Sequence, residues 1–116
     1  MIEVDVWLRG NNHATTVPVP SVPTDASTWT DVDIEQLLTE MLVALDREKN
    51  PGGDRPEVSL RGFSWIVSAD EAGGVLLHME MQLGTASAGP FKVAEPVLTA
   101  MIARVISSAQ TATRVH

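Results

Sequence analysis

A chain of 116 residues that is 44% hydrophobic and 20% charged has the composition of one folded domain, too short for two and too apolar for disorder. Its 15 Asp and Glu against 8 Lys and Arg leave a net charge of −7, which disfavours phosphate backbones and anionic lipid and suits a basic protein or a cation, although solubility alone also accounts for it. With no cysteine, the chain has no disulfides, no thiolate metal ligands and no cysteine nucleophile.

The chain opens with Ile2, Val4, Val6 and Leu8 alternating with Glu3, Asp5, Trp7 and Arg9, the period of a strand with one apolar and one wet face. Neither a basic region nor an apolar leader precedes it, and no apolar run reaches the length of a membrane span, so cytoplasmic residence is expected. Gly10, Asn11 and Asn12 tolerate the backbone angles of a tight turn. Residues 14–19 then suit a return strand. Pro18 and Pro20 cannot donate to a ladder and place that strand at a sheet edge.

Trp29, Thr30, Asp31, Asp33 and Glu35 make a helix start: a staple, a cap and acids at the positive end of the dipole. Ile34, Leu37, Leu38, Met41, Leu42 and Leu45 follow at helical spacing and define a single buried stripe. The run Asn50, Pro51, Gly52 and Gly53 ends the helix. Residues 57–68 suit a third strand of ambiguous phase. Val58, Leu60 and Ile66 share one face and Phe63, Trp65 and Val67 the other, and a bulge at Gly62 would turn the second set inward. A short hairpin loop, residues 70–74, leads to the clearest alternation in the chain. There Leu77, Met79, Met81 and Leu83 oppose His78, Glu80 and Gln82. Residues 84–90 are small and suit a loop. A second helix begins near Pro96 with Val97, Leu98, Met101, Ile102, Val105 and Ile106 as its buried stripe, and the tail frays after Gln110.

The expected fold is therefore a single α+β domain over residues 1–116. It is a two-layer sandwich with a mainly antiparallel sheet of about four strands, in the order β-β-α-β-β-α, and two helices on one face.

Candidate chemistry is sparse. His78 and Glu80 project from one strand face, and Glu3 and Asp5 would join them if the first and fourth strands were neighbours. That set could hold zinc or manganese, whereas any solvated strand face offers the same residue types. Neither an acid–base pair nor a Ser-His-Asp triad has a supporting local signature, and His13 and His116 read as turn and terminal residues. Gly84 and Gly89 have the spacing of a phosphate loop, but Pro90 and Phe91 stand where Lys and Ser or Thr are required. Trp7, among Asp5 and Arg9 on the wet side, is either an interface anchor or a ring covered by its neighbours. A sheet that stacks RNA bases is disfavoured because Glu3, Asp5 and Glu80 would meet phosphate.

The residues favour a non-enzymatic, acidic protein-binding module: an inhibitor, immunity-type protein, adaptor or chaperone without a cofactor or bound metal. Glu3, Asp5, Trp7, Arg9, His78, Glu80 and Gln82 would form its partner-binding face. A self-associating subunit, forming a homodimer through a sheet face or edge, is the first alternative. A small metal-dependent enzyme using His78 and Glu80 is the second. Nucleic acid and membrane are not expected partners.

Overall fold

The computed structural model describes residues 1–114. Five strands and two helices follow the order β1 (Ile2–Leu8), β2 (Thr15–Val19), α1 (Asp31–Lys49), β3 (Ser64–Ala69), β4 (Val75–Met81), β5 (Gly84–Phe91) and α2 (Glu95–Arg114), with a short 3-10 turn at Ala26–Thr28 before α1. All strands belong to one antiparallel sheet in the spatial order β2-β1-β5-β4-β3. This is the expected α+β architecture with one strand more. Residues 84–91 are not a loop of small residues but the central strand of the sheet.

Alternation in β1 and β4 has the predicted consequence. Ile2, Val4 and Val6, and Val75, Leu77 and Met79, are buried, with their neighbours on the opposite face. Proline-bearing β2 lies at one sheet edge, as its missing donor requires. β3 lies at the other edge and is shorter than expected, because residues 57–63 are irregular. Gly62 has φ +78°, and beyond it Trp65 and Val67 turn toward the core while Ile66 is 61% exposed. The phase preferred from sequence is the observed one, reached through a break in the chain rather than a bulge within a strand.

Both helices lie on one side of the sheet. α1 packs on β1, β5 and β2, whereas α2 packs on β3 and on α1. The whole predicted stripe of α1 is buried, and Val43 and Ala44 are buried with it. Arg55, from the connection that follows α1, reaches back to Glu40 at 2.6 Å. At the start of α1, the Thr30 N–H donates to Asp33 Oδ2 at 2.9 Å, so an acidic side chain satisfies a free helix-end donor. Trp29 is buried with its ring edge-on to Phe91, and its Nε1 donates to the Pro23 carbonyl at 2.7 Å. In α2, Leu98, Ile102 and Val105 are buried. Val97, expected in the stripe, is 51% exposed, because α2 meets the rest of the protein over a narrower arc than its apolar residues span. The fraying expected after Gln110 concerns side chains outside the described set, as does His116.

Two features of this packing yield predictions. A Cβ on Gly84 would run into the Trp7 carbonyl oxygen and lie 2.9 Å from Leu8 Cα, so β5 can approach β1 this closely only without a side chain there. Gly84→Ala is expected to lower stability by about 1–3 kcal/mol, measured by chemical denaturation, since the obstacle is backbone and cannot swing aside. Between the helices, Arg104 donates to both carboxylate oxygens of Asp31, at 2.8 and 2.9 Å. Those hydrogen bonds, with the guanidinium charge, hold the Asp31 carboxyl below its usual range. Its folded-state pKa is depressed, so the linked stabilisation is present above the unfolded carboxylate pKa and is lost as pH falls through the folded value. Asp31→Asn should lower the melting temperature slightly at neutral pH, the pair being exposed, and the difference from the parent should close as pH is lowered through the carboxylate range.

Candidate functional site

The face of the sheet away from the helices is covered by no described element. Its rows follow from the strand register. Thr16, Asp5, Ser87, His78 and Ile66 stand side by side from β2 to β3, and Trp7, Thr85, Glu80 and Ser64 make the next row. Each row is a cross-strand ladder in which neighbouring side chains are close enough to bond.

All seven residues singled out in the sequence lie on this face or at its rim, in two groups. Glu3, Asp5 and Trp7 project from β1, and His78 and Glu80 from β4. Arg9 follows β1, and Gln82 sits in the β4–β5 turn. The neighbourhood of the first and fourth strands on which their convergence depended does not exist. β5 runs between them and separates the two groups by two interstrand spacings, roughly 10 Å. Glu3 and Asp5 therefore do not converge on His78 and Glu80, and no group of three or more His, Asp or Glu side chains suited to a metal occurs among the described residues.

The polar side chains on the open face are partly occupied by their ladder neighbours. Thr16 Oγ1 donates to Asp5 Oδ1 at 2.7 Å, and His78 Nδ1 and Ser87 Oγ share a hydrogen bond of 2.7 Å. The His78 ring is half-buried in this pairing. Glu3, Asp5 and Glu80 make no ion pair among the described residues. Trp7 is half-buried, flanked by Thr85 across the ladder. Together with Arg9, Asn11, Glu80 and Thr85 it lines a shallow depression of about 250 Å³. The two readings of Trp7 meet halfway: its neighbours cover part of the ring and leave part to solvent.

Arg9 has a structural task that the sequence did not disclose. Its Nε donates to the Gln82 carbonyl at 3.0 Å, a second guanidinium nitrogen lies 3.5 Å from the Met81 carbonyl, and its backbone N–H donates to Leu83. The β4–β5 turn consists of Gln82 and Leu83 alone and contains no residue at positive φ, unlike the glycine-rich two-residue turns that hairpins favour. Arg9 thus clamps the turn from a distant part of the chain.

A larger hollow, about 600 Å³, opens at the other end of β1 between Glu3, Asp25, Pro90 and Lys92. Hydrogen bonds from Ser27, and to a lesser extent the Lys92 charge, hold the Asp25 carboxyl below its usual range. It is a wide, exposed hollow. No helix among the described residues is long and apolar enough to cross a membrane.

The clamp makes a direct prediction. Arg9→Ala should cost about 1 kcal/mol of stability and speed amide hydrogen exchange in the β4–β5 turn more than in the β3–β4 loop. Equal exchange in both turns would show that the guanidinium does not hold the hairpin. Comparison of the chain with protein-family models, with curated proteins and with solved structures found no match.

Proposed function

We propose that this chain is a non-catalytic protein-binding module that applies the open face of its sheet to a cationic protein partner. The observation that carries the reading is a half-exposed Trp7 set among carboxylates, Glu3, Asp5 and Glu80, that lack ion-pair partners among the described residues. An aromatic anchor supplies contact area at little entropic cost, and unpaired carboxylates around it favour Lys or Arg on the incoming surface. Asp5 and His78 are pre-oriented by Thr16 and Ser87, which lowers the ordering cost of a contact made through them. Inhibitor, immunity-type, adaptor and chaperone roles all use such a surface, and the acidic net charge accelerates encounter with a basic partner.

The module requires no metal and no cofactor in this reading. β5 parts Glu3 and Asp5 from the His78 and Glu80 strand face on which the metal-dependent alternative drew.

The immobilised protein, incubated with extract of its own cells, should retain a basic partner at low salt and release it at high salt. With the purified partner, Trp7→Ala is expected to weaken affinity by roughly thirtyfold, and Glu80→Lys, at an exposed position, by roughly tenfold, with thermal melts confirming that both variants fold. Partner binding should slow amide exchange in β1 and β4. Equal retention at both salt concentrations, or unchanged affinity in both variants, would refute the reading.

A further inference from the structure

The two edges of the sheet are built differently. At one edge β2 carries Pro18, with Pro20 just beyond, and its Thr15 is tied to Glu48 of α1 by a 2.8 Å hydrogen bond. Prolines without N–H donors are a common guard against strand addition. At the other edge, β3 reads Ser-Trp-Ile-Val-Ser-Ala: six residues with no charge, no proline and no glycine. Its outer backbone groups have no strand beside them, and Ile66 projects from it 61% exposed. On a chain of net charge −7, an uncharged edge of this length is where a second, equally acidic copy can approach without repulsion.

We propose that β3 pairs antiparallel with β3 of a second copy, about a two-fold axis perpendicular to the sheet, to give a dimer with one continuous ten-stranded sheet. The symmetry restricts the register. Directly opposed residues in an antiparallel pair point to the same face, and this axis preserves faces, so one residue of β3 must pair with itself.

Centring on Ile66 satisfies both faces. Ile66 meets the partner's Ile66 on the open face. Trp65 meets the partner's Val67 on the covered face, an aromatic against a β-branched side chain. Ser64 faces the partner's Ser68. Centring on Trp65 or Val67 instead sets Ile66 against Ser64 or Ser68 and leaves it without an apolar neighbour across the new pair.

The helix layer fits the same arrangement. Met101, Arg104, Val105 and Ser108 lie on the side of α2 toward α1, where they line hollows shared with Asp31. At 100° per residue, Thr99, Ala103 and Ile106 occupy the opposite side, toward the β3 edge. None of the three is charged, and Ala103 is small enough for two copies of α2 to pass closely. The dimer leaves Trp7 and the acidic rows uncovered, so it stands independently of the partner-binding reading.

Sedimentation velocity of the intact protein, from low micromolar to millimolar concentration, tests the proposal. A species of twice the chain mass is expected. Ile66→Lys, at an exposed position, should give a monomer that melts like the parent diluted to its monomeric range. Ile66→Cys, in a chain without cysteine, should form a disulfide-linked dimer on oxidation, and Ser64→Cys, which this register sets away from its own copy, should not. A monomer at millimolar concentration overturns the proposal and leaves the edge open to a strand from another protein. A dimer indifferent to Ile66→Lys, or one that Ile66→Cys fails to cross-link, overturns the β3 pairing or its register.

Discussion

The insertion of β5 between β1 and β4 is the constraint on which the rest of the structure depends. A hairpin from β4 back along itself creates a strand that must also pair with the first strand of the chain, so the last and first strands zip together at the middle of the sheet. The inner face of that strand is Gly84, Ala86 and Ala88, all buried. Small side chains there let α1 come down onto both β1 and β5 and bring its own large residues, Ile34, Leu37, Leu38, Met41 and Leu45, into the space. Larger residues on β5 would push the helix away and open the core. The glycine that starts the strand removes the last obstacle, since the β1 backbone occupies the place of a Cβ.

That placement also shapes the open face. The same strand that completes the core holds Thr85 and Ser87 outward, and Ser87 binds His78 while Thr85 stands beside Trp7. The acidic residues of β1 and those of β4 are thereby held apart, and what would have been a compact donor set becomes a broad, graded surface. The half-buried state of Trp7 belongs to the same arrangement: hydroxyl-bearing β5 residues are too short to cover an indole.

A sheet with both helices on one side has a face and two edges to account for. One edge carries proline and a side-chain tie to α1, and the other is uncharged. Face and edge point in different directions, so a partner on one and a second copy on the other would not compete. Pairing at β3 would join two acidic faces into one surface, on which a multivalent partner gains through effective concentration rather than through new contacts.

Periodicity alone determined much of this protein. Alternation in β1 and β4 made one face of each strand apolar, the stripe of α1 and the stop at Asn50 and Pro51 set a helix with one buried side, and Pro18 sent its strand to an edge. These are local consequences of where each side chain must point, and they are legible residue by residue. The open face and the residues on it were likewise visible, because a wet strand side has nowhere else to go. β5 was not legible. Gly, Ala, Ser and Pro carry weak strand preference, and its hairpin turn, Gln82 and Leu83, has no glycine signature because Arg9, more than seventy residues away in sequence, holds it. The separation of Glu3 and Asp5 from His78 and Glu80, and the burial of a strand of small residues at the centre of the sheet, were decided only in three dimensions. Strand order is set by which surfaces pack under α1, and no pattern within a single segment encodes that.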